Sequence, residues 1–157
     1  DDVGNVYVEY VRSKEKALVA GVVSDFEVAV RNTGNRDVDN VKVQFIASFT
    51  DGGESKLDIE IPKVAAGQSA TTDFKFAFQR DELAPAELQT RPTQIRAVLL
   101  PPAAADADEL PADNTRFFAA HVVSGIRTLI VDGDRSPERR RSESFFLDRS
   151  LSPPGTA

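Results

Sequence analysis

Short segments in which apolar and polar residues alternate with a period of two constrain this sequence more than any other feature. In residues 26–31, for example, Phe26, Val28 and Val30 alternate with Glu27 and Arg31. Because successive side chains of a β-strand point to opposite faces of a sheet, such segments predict strands with one buried face. The segments with this pattern are 26–31, 41–49, 57–61 and 73–79.

Three more segments complete the predicted strands. Residues 6–11 and 95–100 are rich in β-branched, aromatic and aliphatic residues but alternate less regularly, which is typical of strands covered in part on both faces. Residues 115–123 supply the last strand. Strands of this length and spacing, with no convincing helix between them, predict an all-β fold. We expect an immunoglobulin-like antiparallel β-sandwich of about seven strands with Greek-key connections.

Turn-forming residues separate these strands. Asn-Thr-Gly-Asn at 32–35 offers side chains that bond to the backbone and residues that tolerate positive φ. Gly52-Gly53 permits a tight hairpin, and Ala-Gly-Gln at 66–68 breaks the chain before the Phe-rich strand. Residues 80–92 and 101–111 are predicted to be solvent-facing connections, the first with a helical turn before Pro92.

The composition excludes several classes of site. The chain has no Cys, which removes disulfides, thiolate metal sites and Cys nucleophiles. Its single histidine, His121, falls in the predicted last strand, and neither a Gly-x-Ser-x-Gly elbow nor a phosphate-binding glycine motif occurs. We therefore predict that the segment is not an enzyme and that His121 is a structural or surface residue.

Charge is divided unevenly along the chain. Residues 1–123 hold 20 acidic residues against 13 Lys and Arg, whereas residues 124–157 hold 5 acidic residues against 6 Arg. Nucleic-acid binding requires clustered cations that neutralise phosphates, so the acidic main module predicts no nucleic-acid partner. The short basic run is Arg135, Arg139, Arg140 and Arg141; it lacks interleaved aromatic residues, which favours a solvated loop.

Acidic residues near the last predicted strand raise the question of a metal site. Ca²⁺ takes about six to eight oxygen ligands. Asp106, Asp108, Glu109 and Asp113 could supply three or four of them. From the sequence we favour the alternative of a solvated linker that keeps a sheet edge soluble.

The sequence changes character after residue 123. Residues 126–131 form a nearly continuous apolar run, typical of a buried parallel strand, and Ser142 can cap a helix that ends before Pro153. We expect residues 1–123 to be the sandwich and 124–157 to be the truncated start of a following α/β domain. Because a lone strand has no parallel neighbour, we expect 126–131 to pair with the sandwich or with a second copy of the chain.

In the order of its elements, the segment 3–123 resembles the CARDB family, cell-adhesion-related bacterial domains with an immunoglobulin-like fold. An alternating strand runs into the Asn-Thr-Gly-Asn turn at 32–35, followed by Val-Lys-Val at 41–43 and the Ile-Pro to Gln-Ser stretch at 61–69. Ala-Asp-Asn-Thr at 112–115 stands where the family usually has an acidic residue followed by paired Asn, with Thr115 replacing the second Asn. This resemblance implies a non-catalytic adhesion module.

The tail resembles the start of a glutamine-amidotransferase-like domain of large bacterial membrane proteins. The resemblance lies in Leu-Ile-Val-Asp-Gly-Asp at 129–134 and Ser-Glu-Ser-Phe-Phe-Leu at 142–147. It implies a parent protein anchored in the membrane by segments outside this chain. The chain contains no Met, so we expect it to be a segment of a longer product.

These observations predict a non-catalytic adhesion, interaction or spacer module in the extracytoplasmic part of a bacterial envelope protein, with a protein or polysaccharide as its partner. Two alternatives stay open. The sandwich could be an accessory domain that positions a downstream glutamine-amidotransferase-like enzyme domain. It could also be a calcium-stabilised adhesin module that uses the acidic residues named above.

Overall fold

The computed structural model describes residues 4–49, 53–79, 90–100, 111–125, 128–131, 133 and 143–151. In this part of the chain a 3₁₀ turn, Pro111–Asp113, precedes the last strand, and helix α1 spans Glu143–Leu151. The strands are β1 Val6–Ser13, β2 Leu18–Val19, β3 Val23–Asn32, β4 Val38–Phe49, β5 Glu54–Val64, β6 Ser69–Ala77, β7 Thr90–Leu99 and β8 Thr115–Val123.

The strands form two sheets that face each other across an apolar core. One sheet has the order β1-β3-β6, and the other has the order β2-β8-β7-β4-β5. Neighbouring strands are antiparallel except β2, which pairs in parallel with the end of β8. The chain leaves the first sheet after β3 and returns at β6 to lie beside β3, which is a Greek-key connection. The predicted immunoglobulin-like antiparallel sandwich is confirmed.

Phenylalanine rings fill the centre of the sandwich. Phe26 of β3 is fully buried, and its ring centroid lies 5.2 Å from that of Phe45 on β4, in the opposite sheet. The rings of Phe74 and Phe76 on β6 lie 5.0 and 4.9 Å from Phe45. Phe78, just after β6, is also buried. At these separations aromatic pairs stabilise a core beyond the area that they bury, and the predicted inward Phe stripe is confirmed.

A buried asparagine joins the two sheets at the turn after β3. The side chain of Asn32 donates through Nδ2 to the carbonyl oxygens of Arg36 at 2.7 Å and Val64 at 3.2 Å. Its Oδ1 accepts a hydrogen bond from the N–H of Gly34 at 2.9 Å. A Cβ at Gly34 would lie 3.1 Å from that same Oδ1, so this turn favours glycine two residues after the asparagine.

The structure corrects the prediction at two positions. Strand β2 was not predicted, because two residues are too short to show a period. Residues 90–92, predicted to belong to a connection, begin β7 and pair with residues 121–123 of β8, since pairing with a long neighbour overrides local propensity. The rest of the predicted connections, 80–89 and 101–110, and the hairpin residues 50–52 lie outside the described residues.

The segment after β8 confirms the predicted helix but not the predicted strand. Helix α1 begins one residue after Ser142, the predicted cap. Residues 128–131 form no strand, and Leu129 and Val131 are 87% and 81% exposed. The prediction that this strand pairs with the sandwich is therefore wrong for 128–131. An isolated segment has no neighbour for its backbone N–H and C=O groups, so it does not become a strand by itself.

Replacing Phe26 by Ala removes a ring that contacts both sheets. We expect Phe26→Ala to lower the free energy of unfolding by about 3–5 kcal/mol, because the surrounding rings cannot collapse into the cavity. Phe117→Ala is the matched control, since Phe117 is 62% exposed and its loss should change stability by about 0.5 kcal/mol or less. Urea denaturation measures both values. Similar losses in the two variants would contradict the packing described above.

Candidate functional site

Two residues from distant parts of the chain meet beside the start of β8. Asn5 precedes β1, Asp113 ends the 3₁₀ turn, and Asn5 Nδ2 donates to Asp113 Oδ2 at 2.9 Å. The backbone carbonyl of Asn5 accepts a hydrogen bond from the N–H of Thr33 at 2.9 Å, which ties Asn5 to the turn after β3. Asp113 is the one predicted metal-ligand candidate that the described residues include.

Each of these two side chains also carries an oxygen that lacks a hydrogen-bond donor. Asn5 Oδ1 and Asp113 Oδ1 are both buried and have no hydrogen-bond partner. A buried oxygen without a donor costs about 1–3 kcal/mol. Carboxylate and amide oxygens are also the ligands that Ca²⁺ prefers. The two atoms are therefore suited to a bound cation or a bound water molecule.

The remaining predicted calcium ligands do not join this pair in the described part of the chain. Asp106, Asp108 and Glu109 lie outside the described residues, and within those residues no three His, Asp or Glu side chains form a metal-binding group. Sequence analysis missed Asn5, which lies 108 positions from Asp113. A polar residue before a strand carries no signal for a contact at that separation.

The chain enters and leaves the sandwich at opposite poles. Asn5 lies beside Asp113, close to the first residues of β8. Strand β8 ends at Val123, where it pairs with Val19 of β2. A strand rises about 3.3 Å per residue, so the nine residues of β8 separate the two poles by about 30 Å.

On the outer face of the three-stranded sheet, charged side chains bond to one another. Glu27 Oε1 accepts hydrogen bonds from the Tyr10 hydroxyl at 2.7 Å and from Arg12 Nε at 2.8 Å. The bond from Tyr10, reinforced by Arg12, lowers the pKa of Glu27, and the same bond raises the pKa of Tyr10. Lys14 Nζ pairs with Asp73 Oδ2 of β6 at 2.6 Å. The contacts of Glu27 link the adjacent strands β1 and β3 and stabilise their pairing, whereas the pair of Lys14 and Asp73 spans β3.

The outer face of the five-stranded sheet follows the same principle. Glu54 accepts hydrogen bonds from Ser48 Oγ at 3.1 Å and from Arg96 at 2.9 Å, and the bond from Ser48 contributes most to lowering the pKa of Glu54. Gln44 Nε2 donates to Asp58 Oδ1 at 2.9 Å. The carboxylates of Glu27, Asp73, Glu54 and Asp58 are thus each bonded to a side chain from another segment of the chain.

Strand β8 carries the most exposed large apolar side chain described in the sandwich, Phe117. Ala119 and His121, on the same outer face, are also exposed, so of the two predicted roles of His121, structural or surface, its position matches the second. Phe118 and Ala120 face the core but are only partly buried. Side chains on both faces of β8 are therefore at least partly exposed to solvent.

Other predicted features fall on residues that the structure does not describe. The basic run at 135 and 139–141 is among the residues that the structure does not describe. The solvated-loop interpretation of the basic run stays a prediction. Within the described part of the chain, no helix has the length and apolar character to cross a lipid bilayer.

The model of the CARDB family matches residues 6–93, from the first residue of β1 into β7. No curated protein shows significant similarity.

Several solved domains are similar to the chain in fold. A solution structure of the CARDB domain of a Pyrococcus furiosus protein has a TM-score of 0.56 at 15% identity, and the match covers 79% of this chain and 99% of that domain. A crystal structure of the same domain, in complex with di-metal ions, gives a TM-score of 0.52 at 16% identity, with 77% and 90% covered.

A further similar domain comes from Methanosarcina acetivorans, in a protein whose provisional name describes a cell surface protein. It has a TM-score of 0.51 at 15% identity, and the match covers 76% of this chain and 92% of that one. The family model matches more than half of the chain, and the sandwich shares the fold of these domains. The chain therefore belongs to the CARDB family of cell-adhesion-related domains, which are non-enzymatic modules.

Proposed function

We propose that this domain is a spacer and interaction module in the extracytoplasmic part of a bacterial envelope protein. The observation that carries the proposal is the path of the chain, which arrives at Asn5 at one pole and leaves after Val123 at the other. A domain with this path lengthens a linear protein by about 30 Å. A domain with adjacent ends would instead project from it as a side branch.

The family assignment supports the interaction part of the proposal. Because the family is related to cell adhesion, a protein or a polysaccharide at the cell envelope is the partner that we propose here. The parent protein would be held in the membrane by other segments. A role in positioning a downstream glutamine-amidotransferase-like domain stays a prediction, since residues 128–131 do not form the strand with which such a domain would begin.

Protease protection tests the proposed location. In intact spheroplasts of cells that produce the parent protein, we expect added protease to destroy the domain, because it would lie outside the cytoplasmic membrane. An antibody against the domain provides the readout, and a cytoplasmic protein that stays intact is the control. Loss of the domain only after lysis would contradict an extracytoplasmic role.

Binding to a partner is tested on the isolated chain. We expect the immobilised domain to retain a specific polysaccharide on a glycan array or a specific protein from envelope extracts. A second CARDB domain with unrelated surface residues is the control for non-specific retention. If neither assay shows a specific ligand, the interaction role is wrong and spacing alone accounts for the domain.

The pair Asn5 and Asp113 favours a second function, stabilisation of one pole by a divalent cation such as Ca²⁺. One ion between Asn5 Oδ1 and Asp113 Oδ1 would relieve both buried oxygens and would fasten the start of β1 to the turn before β8. Asp106, Asp108 and Glu109 precede that turn in the sequence and are candidates for further ligands. The solved relative with di-metal ions shares the fold, whereas this proposal rests on Asn5 and Asp113 themselves.

If the cation binds, millimolar Ca²⁺ should raise the melting temperature and EDTA should reverse the rise. An ion at about 100 times its dissociation constant contributes about 2.7 kcal/mol, and each 1 kcal/mol shifts the melting temperature by about 3–6 °C in a domain of this size. Asp113→Asn keeps an acceptor for Asn5 but removes the charge, so it should abolish the shift.

Asp58→Asn is the matched control for this experiment. Asp58 is an exposed carboxylate on β5 that is bonded to Gln44, and its replacement should leave the calcium-dependent shift unchanged. Equal melting temperatures in Ca²⁺ and EDTA for the unaltered domain would contradict cation binding at this pole.

A further inference from the structure

Strand β8 is an open edge of the five-stranded sheet over most of its length. It pairs with β7 from Thr115 to Val123, but on its other side the described residues pair with it only at Val122 and Val123, through β2. The backbone groups of residues 115–121 on that side therefore have no strand partner in the described part of the chain. Such a row is a template for another strand.

The other sheet edges carry features that oppose strand addition. The edge strand β5 contains Lys56, Asp58, Glu60 and Lys63 as well as Pro62, which cannot donate to a ladder. Strand β6 carries Asp73 and Lys75, and β1 is interrupted by a bulge between Val8 and Tyr10. A bulge twists an edge away from a new partner.

Strand β8 lacks these protective features. Between Thr115 and His121 it has no acidic residue and no proline, and its only full charge is on Arg116. Phe117 is 62% exposed, and Phe118 and Ala120 are incompletely buried although they face the core. An added strand would cover all three of these side chains, and their burial would drive its binding.

The same chain contains an apolar segment that pairs with no strand in the described part of the structure. Residues 128–131, Thr-Leu-Ile-Val, have a strand-forming composition but no strand structure, and Leu129 and Val131 are 87% and 81% exposed. The segment has no charge, so its contact with β8 would bring no like charges together despite the net charge of −6 on the chain. The segment and the β8 edge are therefore both apolar, and pairing between them meets no repulsion between like charges.

Pairing within one chain is obstructed by β2. Only residues 124–127 separate β8 from the segment, so a hairpin would place Thr128 opposite Val123 and Leu129 opposite Val122. These two edge positions are already occupied by Val19 and Leu18. In a second copy of the chain, the open residues 115–121 can be approached without displacing β2.

We infer that residues 128–131 of one chain add to the β8 edge of a second copy. In a reciprocal arrangement each copy gives its segment and receives that of the other, which closes a twofold dimer with two equivalent contacts. This inference goes beyond the spacer role and does not depend on it, because the dimer forms from features of the isolated chain.

Light scattering at increasing concentration tests the dimer. Between about 1 µM and about 1 mM, which spans weak protein association, we expect the measured mass to rise towards twice that of one chain. Ala119→Lys on the outer face of β8 and Leu129→Lys in the segment should each restore the mass of one chain. Ala77→Lys, at an exposed alanine of the edge strand β6, is the matched control and should leave the dimer intact.

Engineered cysteines test which surfaces meet, and the absence of native Cys makes the result specific. We expect Ala119→Cys/Leu129→Cys to form a covalent dimer under mild oxidation, and Ala77→Cys/Leu129→Cys to form far less. At concentrations where the unaltered chain is monomeric, all variants under reducing conditions should keep its melting temperature, because the replaced residues are exposed.

Three results would overturn the inference. The first is the mass of one chain throughout the concentration range. The second is a dimer that survives both lysine variants, which would require a different interface. The third is a disulfide between residues 119 and 129 within a single chain, which would mean that the segment reaches its own β8 edge. A negative result in these experiments leaves the protease and partner-binding tests of the spacer role unaffected.

Discussion

The buried side chain of Asn32 is the interaction on which the joining of the two sheets depends. It lies at the end of β3 in one sheet and bonds to the carbonyl of Val64 at the end of β5 in the other. It also closes the turn to β4 through Gly34 and Arg36. The amide is 1% exposed, so each of these bonds replaces one to water, and each unmet partner would cost about 1–3 kcal/mol.

The turn that Asn32 organises also positions the start of the chain. Thr33 donates to the carbonyl of Asn5, and Asn5 in turn donates to Asp113 before β8. The first strand, the turn after β3 and the last connection therefore meet at one pole. The two unmet oxygens lie at this junction, so a cation or water bound there would act on three segments that are far apart in sequence.

The surfaces of the sandwich differ in how far their polar groups are hydrogen-bonded and their strand edges protected. On the two outer faces, Glu27 accepts a hydrogen bond from Tyr10 and Glu54 accepts one from Ser48, each on a neighbouring strand, and on β5 alternating charges and a proline protect the edge. The edge of β8 is the exception, with Phe117 exposed and residues 115–121 unpaired on one side in the described structure. Contacts at that edge would leave both poles open, so a paired domain could still act as a spacer.

The sequence by itself determined the sandwich and its core. The inward orientation of five phenylalanines could be predicted, because alternation with polar residues is a local property of a strand and places one face in the core and the other in solvent. These residues are Phe26, Phe45, Phe74, Phe76 and Phe78. The helix Glu143–Leu151 was predictable for the same reason, from a cap followed by apolar residues. Such patterns do not depend on which other segment supplies the contact.

Only the tertiary structure decided which segments meet. It brought Asn5 into contact with Asp113, paired Leu18 and Val19 with the end of β8, and left residues 128–131 without a strand partner among the described residues. None of these could be read from the sequence, because a contact over 108 positions, a two-residue strand and a missing partner leave no periodic signal. Burial and pairing are properties of the assembled sheets, and so the contact between Asn5 and Asp113 and the open edge of β8 appear only once those sheets have formed.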